Sequence, residues 1–128
     1  MADPYTGTRV VVGLTFEDFA DRLIGHAQFH CRIVRIDPRE GIVLERLDGG
    51  PTFNLPPIRE MLQPATLDEY RFTSTGEVVY EPDFELTMRL AVPPAVAEGM
   101  RAGTRPLEPE YMTRGFSNVP PPAPGAPN

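Results

Sequence analysis

Leu23-Ile24-Gly25-His26-Ala27-Gln28-Phe29-His30-Cys31-Arg32-Ile33-Val34-Arg35-Ile36 is the stretch on which the fold turns. Leu23, Ala27, Phe29, Cys31 and Ile33 share one parity, and Val34 and Ile36 take the other. Alternation at period two marks an extended strand with one buried face. A straight strand of this sequence would push half of its apolar side chains into water. The pattern therefore predicts one long strand with a bulge or sharp bend at Ile33 and Val34, where an extra residue exchanges inward and outward side chains. Long bent strands of this kind turn the corners of small barrels.

Similar signals extend in both directions. Before it, Val10, Val12, Leu14 and Phe16 alternate with Arg9, Val11, Gly13 and Thr15, which predicts a strand over 9–16 and a turn over 17–21. After it, Asp37-Pro38-Arg39-Glu40-Gly41 has the composition of a tight turn. A strand over 42–47 then meets Asp48-Gly49-Gly50, a hairpin signal, and residues 52–55 return along it. Pro56-Pro57 closes that strand, and residues 58–62 suit a single helical or 3₁₀ turn. Strands over 70–73 and 77–80 flank Ser74-Thr75-Gly76, and Phe84, Leu86, Met88, Leu90 and Val92 form the clearest alternation in the chain. Beyond Pro93-Pro94, residues 95–102 read as a short helix with Val96 and Met100 on one face, weakened by Gly99. Val119-Pro120-Pro121-Pro122-Ala123-Pro124 has polyproline II composition.

The expected fold is all-β: a small antiparallel SH3-like or Sm-like barrel over 8–92 with one short helical turn, followed by a proline-rich C-terminal tail over 93–128. A β-sandwich is the alternative.

A chain of 128 residues supports one hydrophobic core. Its 16 prolines stand well above the average of roughly 5%, and nine of them lie at or after Pro93. All 12 basic residues are arginine, and they are scattered. The net charge of −6 sits in the body, where residues 1–92 carry 15 acids against 9 arginines. Such a body repels phosphate backbones and anionic membrane surfaces and favours basic partners. Cys31 is the single cysteine, so no internal disulfide forms. No stretch approaches the ~18 consecutive apolar residues of a membrane span, and residues 1–9 lack an apolar leader. A cytoplasmic location is expected.

Val12-Gly13-Leu14-Thr15-Phe16, Gly41-Ile42-Val43-Leu44, Phe53-Asn54-Leu55-Pro56-Pro57, Tyr70-Arg71, Ser74-Thr75-Gly76-Glu77-Val78-Val79 and Pro82-Asp83-Phe84 carry a resemblance. In these motifs the chain resembles a group of small, largely uncharacterised bacterial single-domain β proteins. The likeness covers about two-thirds of the chain and excludes the tail. It implies a shared β domain and carries over no catalytic residue.

Two clusters are candidates for function. His26, Gln28, His30 and Arg32 form a polar stripe on the long strand. Residues four apart on a strand are about 13 Å apart, too far for two imidazoles to share an ion, so the stripe reads as solvated or partner-facing and no metal is expected. Glu77, Glu81, Asp83 and Glu85 form an acidic group, read either as a charged edge that discourages aggregation or as a contact for a basic partner. Cys31 stands among apolar neighbours, which favours an inert thiol over a nucleophile. Ser74 lacks the Gly-x-Ser-x-Gly elbow. No zinc spacing, phosphate loop or dinucleotide fingerprint is present, and no cofactor is expected.

These features predict a non-enzymatic protein-binding module with no membrane partner, an acidic immunity-type inhibitor of a toxin being one concrete form. Sm-like oligonucleotide binding is less expected and would require Arg32, Arg35 and Arg39 to converge. A homo-oligomeric scaffold or structural subunit is a further alternative.

Overall fold

The computed structural model describes residues 4–73 and 75–109. The chain is dominated by strands: β1 (Arg9–Glu17), β2 (Leu23–Asp37), β3 (Gly41–Arg46), β4 (Phe53–Leu55), β5 (Gln63–Pro64), β6 (Glu69–Arg71), β7 (Val78–Tyr80) and β8 (Phe84–Ala91). A 3₁₀ turn (Arg59–Met61) precedes β5, and one helix, α1 (Pro94–Ala102), follows β8. Six strands form a sheet in the order β4-β3-β2-β1-β8-β5, and β6 and β7 form a separate hairpin.

β1 to β4 make the expected antiparallel meander, and short acidic turns set its corners. Asp18 Oδ1 accepts the Ala20 and Arg22 amides at 2.8 and 3.0 Å in the β1–β2 turn. Asp37 Oδ1 accepts the Arg39 and Glu40 amides in the β2–β3 turn. Asp48 Oδ1 accepts the Gly50 amide in the next, where Gly49 takes a φ of +87° that a side chain would disfavour.

The bend in β2 lies where the sequence places it. Its register with β3 shifts between Ile33 and Arg35, with Ile33 opposite Leu44 and Arg35 opposite Val43. Val34 is the extra residue, and it is exposed while Ile33 is fully buried. The chain entering β1 reinforces this corner: Gly7 N–H donates to Ile33 O and Ile33 N–H donates to Thr8 O.

Two features depart from the expected barrel. β8 lies beside β1 in parallel, Val10 opposite Phe84 through Glu17 opposite Ala91, because the chain returns through a long crossover rather than a hairpin. The sheet also stays open, with β4 at one edge and β5 at the other. The architecture is a bent, mixed six-stranded sheet rather than an antiparallel closed barrel.

The main core fills the concave side. Val10, Val12, Leu14 and Phe16 of β1 meet Phe29, Cys31 and Ile33 of β2, Ile42 and Leu44 of β3, Phe53 and Leu55 of β4, and Leu86 and Leu90 of β8. Ala97 and Met100 of α1 belong to the same cluster, so the packed unit continues beyond residue 92 into the part assigned to the tail. Pro94 starts the helix and Gly103, at φ +79°, ends it. The chain then crosses β2, where Leu107 lies so close to Gly25 that a Cβ there would fall 2.8 Å from it. The polyproline segment, the rest of the tail from 110 and Ser74 lie outside the described residues.

Candidate functional site

The convex side of the sheet bears a second, smaller cluster. Val11 points away from the main core and is buried there by Phe72 and Val79, with Tyr70 packed alongside. The β6–β7 hairpin is therefore a cover on the outer face of β1, β2 and β8. Its own geometry is tight: Phe72 N–H donates to Glu77 O, Gly76 N–H donates to Phe72 O, and Gly76 takes a φ of +76°.

Polar side chains fasten this cover. Arg9 Nη2 donates to the carbonyls of Tyr80 and Glu81 at 2.8 and 2.7 Å, and Arg9 Nη1 lies 3.3 Å from His30 Nε2. His30 Nδ1 lies 3.5 Å from Glu77 Oε2. An arginine only donates, so His30 accepts at Nε2 and carries its proton on Nδ1, facing Glu77. Gln28 Oε1 accepts the Thr73 amide at 3.3 Å. Tyr70 O–H donates to Glu85, which also accepts from Thr66 Oγ1. Asp83 Oδ2 accepts the Arg9 amide at 2.9 Å.

The polar stripe is thus divided. Gln28 and His30 lie beneath the hairpin and bind it, whereas His26 is exposed, with Nδ1 3.0 Å from Thr15 Oγ1. Arg32 is exposed and stands 4.0 Å from Glu45. The acidic group is divided in the same way. Glu77, Asp83 and Glu85 each engage a partner within the chain, and Glu81 sits exposed with a φ of +48°, its amide donating to Asp68 O.

Burial and the nearby Arg9 guanidinium lower the His30 pKa, with Glu77 opposing, so the ring is neutral at pH 7. Burial drives the Cys31 thiol well above its ordinary value. Arg46 crosses the Phe29 ring at 4.7 Å and pairs with Asp48 and Glu108. Beside it a shallow groove of about 290 Å³ brings His26 near Asp48, Glu77 and Glu108. Among the described residues no three His, Cys, Asp or Glu side chains are placed to hold a metal ion. Arg35 is held by Glu40 at 2.5 and 2.7 Å, and with Arg32 near Glu45, carboxylates accompany two of the three arginines considered for oligonucleotide binding. No helix among the described residues is long and apolar enough to cross a membrane.

A further exposed surface lies at the base of the hairpin. With Tyr70 and Val79 turned to the sheet, Glu69, Arg71, Val78 and Tyr80 alternate outward. Tyr80 is 62% exposed and Leu67 57% exposed. Asp68, Glu69, Glu81 and Asp83 surround them in the chain and across the Asp68–Glu81 hydrogen bond.

The chain matches no family model, no curated protein and no solved structure.

Sequence reading missed Leu67 and Tyr80. Their signal is Val11: an apolar residue at the outward parity of β1 implies a second layer over that face, and a second layer has an outer surface of its own.

Proposed function

We propose that the protein is a non-enzymatic binding module that receives a basic partner on the outward surface of the β6–β7 hairpin. The observation that carries this reading is an exposed aromatic and an exposed leucine, Tyr80 and Leu67, set among Asp68, Glu69, Glu81 and Asp83. Tyrosine is enriched among the residues that dominate binding energy, and carboxylates around it select for cationic surfaces. The hairpin is anchored through Arg9, His30, Gln28 and Glu85, so little order is lost when a partner docks. The net charge of −6 adds long-range steering toward such a partner.

The state of the potential nucleophile and base supports binding over catalysis. The Cys31 thiol is buried and hard to ionise, and His30 is enclosed between Arg9 and Glu77. An acidic inhibitor that occupies the basic cleft of a toxin is one concrete form of this reading.

A photo-crosslinking residue placed at Tyr80 in the full chain tests it. A basic protein crosslinked from position 80, and not from position 59 on the 3₁₀ turn, is the expected result. No adduct at 80, or equal adducts at both positions, overturns the assignment.

A further inference from the structure

A cleft of about 800 Å³ runs between the β1–β2 turn and α1. Phe19 and Ala20 line one side, and Pro94, Ala97 and Ala102 line the other. The helix residues recur at the spacing of one helical face, so the apolar lining runs along α1. Arg22 and Arg101 stand at the same cleft with Asp18 between them.

Asp18 is only 6% exposed, and donors occupy both of its oxygens. Oδ1 accepts the Ala20 and Arg22 amides, and Oδ2 accepts Arg22 Nε at 2.8 Å and Arg101 Nη2 at 3.0 Å. One carboxylate oxygen thus holds two guanidinium ions together. The Arg22 and Arg101 side chains are 74% and 40% exposed at the cleft, and each guanidinium has more N–H groups than it uses on Asp18. Glu98 also lines the cleft, and no ion pair joins it to either arginine among the described residues.

The geometry points to a binding site here for an apolar chain that ends in a carboxylate. The carboxylate sits between Arg22 and Arg101, and the chain lies along Phe19, Ala20 and the Pro94–Ala97–Ala102 face. Cleft size is in the range of small-molecule sites, roughly 300–1,000 Å³. The net charge of −6 slows the approach of an anion, and hydrogen-bonded pairing with the two guanidinium groups decides occupancy once it arrives. The chemistry is shared by a free aliphatic acid and by the apolar C-terminus of a peptide. This inference does not depend on the hairpin surface.

Titration of the full chain by NMR with sodium octanoate, with 1-octanol, and with a short leucine-rich peptide bearing either a free or an amidated C-terminus tests the site. Saturable shifts at Phe19, Ala97 and Arg101 are expected with octanoate or with the free-acid peptide, whichever source the site prefers, and about tenfold weaker binding of the corresponding neutral probe. Glu98→Gln, which leaves the Asp18 cluster intact, is expected to tighten binding about threefold by removing a rival carboxylate. Arg101→Gln is expected to weaken it about tenfold with the sheet resonances unchanged. Neutral probes that bind as well as the acids, or no saturation by either acid, would overturn the proposal. So would an affinity that neither variant alters.

Discussion

Arg9 Nη1 and His30 Nε2 lie 3.3 Å apart, and that approach ties the first strand to the second beneath the hairpin that covers them. The same guanidinium holds the carbonyls of Tyr80 and Glu81 through Nη2. A proton added to His30 at Nε2 would face a permanent cation, and Arg32 adds further repulsion while Glu77 opposes it.

The pH dependence follows with a definite sign. The folded pKa of His30 is lowered, so the unfolded chain binds the proton more readily. Its contribution to stability is fully present above the unfolded value of about 6.5 and is lost as pH falls below it toward the folded value. Amides of residues 70–80 are expected to exchange faster at about pH 5 than at about pH 7.5 after correction for intrinsic rates, while β1 and β8 amides stay protected. Equal change in all strands would show that His30 does not govern the hairpin.

Arg9→Gln removes both carbonyl bonds and the His30 contact. A loss of about 1–2 kcal/mol is expected, at the lower end for bonds to charged donors because the site is partly wet. Urea unfolding followed by the methyl proton shifts of Val79, which is buried under the hairpin, and by far-UV circular dichroism checks it. The Val79 transition is expected to move first.

Phe72→Ala empties most of the small convex cluster. Large-to-small changes of this kind cost about 3–5 kcal/mol in a closed core, and the lower figure is expected because the cluster around the gap is small, formed by Val11, Val79 and the partly buried Tyr70. Detachment of the hairpin with the six-stranded sheet retained is the expected phenotype, read by proton chemical shifts of Val11 against those of Leu14.

Cys31 is fully buried, and burial holds its thiol in the protonated form. Iodoacetamide at about pH 8 is expected to leave the native chain unmodified and to label it stoichiometrically after denaturation. Intact mass separates the two outcomes, and rapid native labelling would show that the β2 strand opens readily.

The sequence revealed which residues face inward more readily than which strands are neighbours. The parity change at Ile33 and Val34 announced the bend because a straight strand could not bury both apolar sets. Asp48-Gly49-Gly50 announced a hairpin because a glycine supplies the positive φ that its turn requires. Alternation in β8 showed its buried face, yet it carries no information on direction, and the parallel pairing with β1 depends on a crossover of more than sixty residues. The candidate site was legible only in part. Glu77 and Glu85 stand in an acidic run, but their partners His30 and Tyr70 are distant in the chain or on another strand, so their fastening roles appear only once the hairpin folds onto the convex face.

The most direct test is the affinity of the partner crosslinked from position 80, measured by calorimetry for the wild-type chain and for Tyr80→Ala combined with Glu81→Lys, at about 0.05 M and about 0.5 M salt. The expected result is a loss of at least about a hundredfold in the double variant with folding unchanged, and wild-type affinity that falls with salt. Wild-type affinity in the double variant, indifferent to salt, would contradict the assignment of the hairpin base as the binding surface.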